Sequence, residues 1–139
     1  ARQFFSSSPR TTSSRRMNFP YTDTESWIGV GCDDASEWVY VGFSNAPNLT
    51  NNDPQSGGYS RVPARVRWNE SVENINMTQE FGAAFIHFQQ DANVIQKMAD
   101  SNSFLLELSW YGEGSVVFDY SLNGSSSAIE SMRTSCNSL

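Results

Sequence analysis

Phe104 to Tyr120 reads FLLELSWYGEGSVVFDY, and SLNGSSSAIESMRTSC carries the chain on to Cys136. Phe104 to Tyr111 and Ser115 to Tyr120 read as two strands of a hairpin across Gly112, Glu113 and Gly114, because glycine takes the positive φ that such turns need. Leu122, Ile129, Met132 and Cys136 then recur at helical spacing, with Ser127 and Glu130 in capping-box register. A hairpin leading into an amphipathic terminal helix that packs on the sheet is the expectation for this end of the chain.

Working outward, Trp27 to Cys32 (WIGVGC) and Trp38 to Phe43 (WVYVGF) alternate in the manner of strands and flank the turn Asp33 to Ser36, which makes them a second hairpin. Ser44 to Tyr59 holds Pro47, Pro54, Gly57, Gly58 and several asparagines and reads as a long surface loop. Arg61 to Trp68 (RVPARVRW) sets Arg61, Pro63, Arg65 and Arg67 against Val62, Ala64, Val66 and Trp68, a strand with a charged outer face. Pro63 places that strand at an edge or at its own start. After a polar connection, Phe81 to Phe88 (FGAAFIHF) reads as a strand, and Asp91 as the N-cap of a helix to about Asp100 with Val94, Ile95 and Met98 as its apolar stripe. The fold class expected is mainly β: an antiparallel β-sandwich or half-barrel with one short internal helix and a C-terminal amphipathic helix. Residues 27–139 form a single β-rich domain in this reading, preceded by a basic Ser/Arg-rich arm over 1–26.

A chain of 139 residues is long enough for a real core, and aromatic content of 13% supplies much of it. The first residue is Ala1 and no charged-then-apolar leader follows, so a processed chain is expected. No apolar run has the length of a membrane span. Arg2, Arg10, Arg15 and Arg16 give 1–20 a charge of +4 with no acid, so the net −6 leaves −10 for the remainder. A body that acidic does not take nucleic acid on a broad face. The arm is either a flexible tail or a segment that docks on a partner or an anionic surface, and the adjacent Phe4 and Phe5 are the exception to a tail's composition because a solvated tail has little need of them.

Cys32 and Cys136 are the only cysteines and both fall on apolar faces, so they are two buried thiols or one disulfide. The disulfide is expected, and with it an oxidising compartment, periplasmic or extracellular. Cys32, the strand with Arg65, Arg67 and Trp68, the FGAAFIHF stretch, the short helix, and the closing residues Phe118, Asp119, Gly124, Ala128, Ile129 and Cys136 together resemble the VasI-like family. These are small envelope proteins associated with bacterial type VI secretion. The resemblance implies a periplasmic accessory or binding domain and brings no catalytic residues.

Chemistry is sparse. One histidine, His87, builds neither a multi-histidine zinc site nor a credible triad, and Cys32 and Cys136 lack the close spacing of a redox or metal motif. Asp33, Asp34 and Glu37 cluster as a small hydrolase or a calcium loop would require, but turn acids are ordinarily solvated and the glycine-punctuated ligand loop is missing. No phosphate-cradling glycine loop precedes a helix. Sequons at Asn48, Asn69, Asn76 and Asn123 are about what this composition yields by chance. Arg61, Arg65 and Arg67 form a guanidinium row able to fork carboxylates, unless neighbouring acids consume it. The expectation is a non-enzymatic envelope or secreted domain without cofactor or metal, binding a protein partner through Arg61, Arg65, Arg67, Phe4 and Phe5. Two alternatives are a carbohydrate-binding module with Trp27, Trp38, Trp68 or Trp110 as its platform, and a carboxylate-dependent hydrolase.

Overall fold

The structure, a computed structural model, describes the backbone of Gln3–Ser6 and residues 10–33 and 35–137 with their side chains. Among the described residues the strands are β1 (Gln3–Ser6), β2 (Thr11–Thr12), β3 (Glu25–Cys32), β4 (Glu37–Phe43), β5 (Asp53–Gln55), β6 (Tyr59–Trp68), β7 (Ser71–Glu80), β8 (Phe85–Phe88), β9 (Ser103–Trp110) and β10 (Gly114–Ser121). They make one antiparallel sheet in the order β1-β3-β4-β8-β7-β6-β9-β10, curled into a nearly closed barrel. Two helices, α1 (Asp91–Asp100) and α2 (Ser125–Asn137), accompany it. The mainly β class with minor α is therefore the observed one.

The Ser/Arg-rich segment that composition reads as a tail supplies the seam of the barrel. β1 and β2 both pair with β3, and the chain then turns to β10, where Ser13 bridges Phe118 and the Ser14 amide donates to the Val117 carbonyl at 2.9 Å. Hydroxyls and backbone make this possible: a polar, Gly-free segment with little apolar content satisfies two exposed strand edges without needing a core of its own. Beneath the seam the Ser26 hydroxyl donates to the Gly42 carbonyl at 2.8 Å, which leaves the Tyr120 hydroxyl to donate to Ser26 at 2.7 Å. Both side chains are buried.

A second opening is filled by the long loop. β6 pairs with β9 only over Arg65–Trp68, and beyond that the two strands part. Leu49 bridges Trp110, the Thr50 amide reaches the Ser109 carbonyl at 2.8 Å, and β5 pairs with Tyr59–Arg61 of β6. Pro63 sits between the residues paired with β5 and those paired with β9, so its lost N–H matters little there. The edge position expected from Pro63 is thus corrected: β6 is interior, paired with β7 along all ten of its residues.

Two more expectations change. Residues 69–80 are not a polar connection; their larger part is β7, whose inner face holds Ile75, Met77 and Gln79 where a plainer apolar alternation would have announced a strand. The strand expected over 81–88 is confined to β8, because Gly82 takes φ 75° and turns the chain there.

The core is aromatic. Trp68 packs on Phe104 at 4.4 Å between ring centroids, Phe104 on Tyr120 at 5.4 Å, and Phe43 on Phe118 at 5.5 Å. Each such contact adds about 0.5–1.5 kcal/mol beyond area burial. Alternation in β6 and β9 is nearly perfect, with Val62, Ala64, Val66 and Trp68 facing Phe104, Leu106, Leu108 and Trp110 inward.

At one end the helices and the disulfide close the structure. Asp91 does not cap α1: Gln90 holds that position without a capping side-chain bond, and Asp91 Oδ1 accepts the Val39 amide at 2.9 Å, beyond the end of β8 where β4 has lost its partner. Likewise α2 begins at Ser125, two residues before the expected box at Ser127, and the Ser125 hydroxyl donates to the Met98 carbonyl at 2.8 Å in the last turn of α1. Ile129, Met132 and Cys136 form the buried stripe of α2. Cys136 is bonded to Cys32 with the Cα atoms 6.3 Å apart, and Arg133 forks Glu37 at 2.7 and 3.1 Å beside it. The expected disulfide is present.

With its cysteines at a sequence separation of 104, the bond contributes on the order of 4–5 kcal/mol by the chain-entropy account. Urea titration with and without reductant is expected to show a midpoint markedly lower in the reduced protein; equal midpoints would contradict this. A second expectation concerns Tyr120, whose phenol burial pushes far above its ordinary range. The contribution is whole below pH about 10, where the unfolded tyrosine is also neutral, and is lost above it at about 1.4 kcal/mol per pH unit. Tyr120→Phe should cost about 1 kcal/mol at neutral pH and flatten the alkaline fall in denaturation midpoint.

Candidate functional site

On the outer face of β3, β4 and β8 the register sets aromatic residues across from glycines: Trp27 faces Gly42, Tyr40 faces Gly29, and Trp38 faces Gly31. Each ring lies so close over its glycine that a Cβ there would stand 2.5–2.6 Å from ring atoms. The Arg10 guanidinium covers Trp27 at 4.0 Å from the ring centre, a cation–π contact that ties the arm to the sheet. Tyr40 takes a hydrogen bond from Trp27, and burial raises its phenol against the lowering effect of that bond. Phe85 stands edge-on to Trp27 and Tyr40, at 6.5 and 5.6 Å, with 43% of its surface exposed. The side chain of His87 is half-buried on the same strand, opposite Tyr40 and Thr78.

Phe85 belongs to a larger group. Phe19 is 90% exposed, Tyr111 67% and Phe81 62%, and all of these lie at the barrel end away from the helices. Their loops are tied together. Glu113 accepts the Asn18 amide at 3.1 Å and the Arg15 guanidinium at 3.1 Å, holding the Phe19 loop against the β9–β10 turn that carries Tyr111. The Tyr111 amide donates to the Asn48 carbonyl at 2.8 Å. Next to it the buried Gln79 amide donates to the carbonyls of Pro47 and Ala83 at 3.1 and 3.0 Å, joining the long loop to the Phe81–Phe85 turn. Exposed aromatic side chains on hydrogen-bonded loops are pre-organised for contact, since little order remains to be imposed on binding.

The residues expected to bind are spread out. Arg61, Arg65 and Arg67 are exposed on the outer face of β6, Arg61 within 3.9 Å of Asp53 and Arg65 in register with Glu107 of β9. Acids on neighbouring strands therefore offset part of the row. Phe4 pairs with Gly31 and Phe5 with Val30 by backbone register, while their side chains lie outside the described residues. Of the carboxylates, Asp33 accepts the Ala35 and Ser36 amides of its own turn, Glu37 is held by Arg133, and Asp34 lies outside the described residues. Trp68 and Trp110 are core residues, 5% and 0% exposed, so they do not belong to a sugar platform; Trp27 and Trp38 remain on the outer face. Sequence reasoning passed over Phe19, Phe81 and Tyr111. Their signal was adjacency to turn formers, Pro20, Gly82 and Gly112, which puts an aromatic ring at a bend rather than in a sheet.

No family model matches the chain, and no curated protein or solved structure matches it.

Removing the Gln79 amide leaves two carbonyls short of a donor at a buried joint, a loss of about 1–3 kcal/mol. Gln79→Ala is expected to lower the denaturation midpoint and to speed proteolytic nicking between residues 44 and 52; unchanged cleavage there would show that the loop is held by other contacts.

Proposed function

We propose that this chain is a non-enzymatic binding domain of the cell envelope or exterior, docking a protein partner on the loop end of the barrel. The observation that carries it is the exposure of Phe19, Phe81, Phe85 and Tyr111 at that one end, on loops fastened through Glu113 and Gln79. Grouped apolar exposure with a charged surround is characteristic of interaction surfaces, and aromatic side chains dominate their energetics. The Cys32–Cys136 bond favours an oxidising compartment. The resemblance to VasI-like envelope proteins points to the same class, an accessory domain of a secretion assembly. Arg15, paired with Glu113, and Arg16 border the surface. The β6 arginines contribute at most at its margin through Arg61.

A triple variant, Phe19→Ser with Phe81→Ser and Tyr111→Ser, should keep the wild-type melting temperature and lose at least tenfold in affinity for the envelope partner, measured on partner recovered with the wild-type domain. Arg65→Glu with Arg67→Glu should retain that affinity. The reverse pattern would move the docking surface to the β6 face and overturn the assignment.

A further inference from the structure

β8 is shorter than the strand it accompanies. It pairs with β7 only at Met77 and Thr78, so residues 71–76 have β6 along one edge and, among the described residues, no strand along the other. From Phe88 the chain turns away through Gln89 and Gln90 into α1, and a cleft of about 340 Å³ opens between β7 and that helix. Its volume lies within the range of ligand-binding pockets. Trp68 and Phe88 contribute to its lining, and five side-chain amides surround it: Asn74 and Asn76 on β7, then Gln89, Gln90 and Asn93.

Three features of this cleft go together. First, natural sheets guard a free edge with lysine, proline or a bulge, yet SVENIN has none of these, and its one charge, Glu73, is paired with Lys97 of α1. Second, that pairing leaves the cleft without net charge, while the amides of Asn74, Asn76 and Gln89 make no hydrogen bond among the described residues. Third, α1 lines the far side of the cleft, leaving a slot that suits a single strand better than the edge of a second barrel. Exposed N–H and C=O groups at the spacing of a strand, flanked by unspent amides, complement a peptide backbone. A saccharide would engage the amides and leave the edge unpaired.

We infer that the β7–α1 cleft binds a short, extended, uncharged peptide segment as an added strand on residues 71–76. The site lies away from the loop end and stands independently of the function proposed there.

The probe is a random-hexapeptide phage library panned on the intact, oxidised domain, followed by synthesis of the enriched peptide. Uncharged sequences are expected to enrich. N-methylation of alternate peptide amides, made in both phases, should cost at least tenfold in affinity in one phase and little in the other, because only one set of amides faces β7. Asn93→Trp, an exposed substitution that fills the cleft, should cost at least tenfold with an unchanged melting temperature. Amide exchange in 71–76 should slow on binding, and the triple loop-end variant should bind the peptide as wild type does. Failure of any peptide to enrich would overturn the inference. So would equal tolerance of both N-methylated phases, binding lost in the loop-end variant and kept in Asn93→Trp, or a glycan array positive that Asn93→Trp removes while peptides stay unenriched.

Discussion

The pairing of residues 11–14 with β3 on one side and β10 on the other is the constraint on which the barrel depends. Without it β3 would lose its partner at Glu25 and Ser26, β10 would present an open edge, and the Ser26–Tyr120 hydrogen bond beneath would be open to water. A buried phenol and a buried serine are tolerable only while each satisfies the other. The seam therefore does more than finish the sheet. It keeps dry the polar pair that joins β3 to β10, and through β3 it bears on the strand that also carries Cys32.

Constraint and exposure divide between the two ends. One end concentrates constraint: the disulfide, the Arg133–Glu37 fork, the contact between Ser125 and Met98, and Asp91 spent on the Val39 amide rather than on its own helix. The other end carries the aromatic side chains left in solvent, on turns that hydrogen bonds fix in place. Loops are free to vary in side chain when their backbone is satisfied by a rigid body below them. That arrangement concentrates restraint at the helix end and leaves exposed rings at the loop end.

Much of the architecture was legible in the sequence where one physical signal dominated. Alternation in residues 61–68, the hairpin over 104–120 with its glycine turn near 112, and the helical stripe ending in Cys136 each correspond to observed elements. Misreadings arose where tertiary partners override local preference. β7 shows only Ile75 and Met77 as inward apolar residues and takes its shape from pairing with β6 along its whole length. The arm has no apolar period because it stitches edges instead of burying a face. Asp91 and Ser127 have the chemistry of caps, but backbone groups outside their helices and a start two residues earlier decided otherwise. The candidate surface was less legible still, since a ring at a bend looks in sequence like any other aromatic residue.

The three glycine–aromatic pairs on the outer face couple positions across the β3–β4 hairpin. Gly42 can carry a side chain only if Trp27 gives up its place, and the same exclusion joins Gly29 to Tyr40 and Gly31 to Trp38. Substitution effects at such contacting positions do not add. Each pair is a steric unit: a ring lost from one strand leaves bare backbone on the next, and a methyl group gained there displaces the ring. Between these alternatives lies an intermediate of lower stability, which confines neutral drift on this face to paired changes.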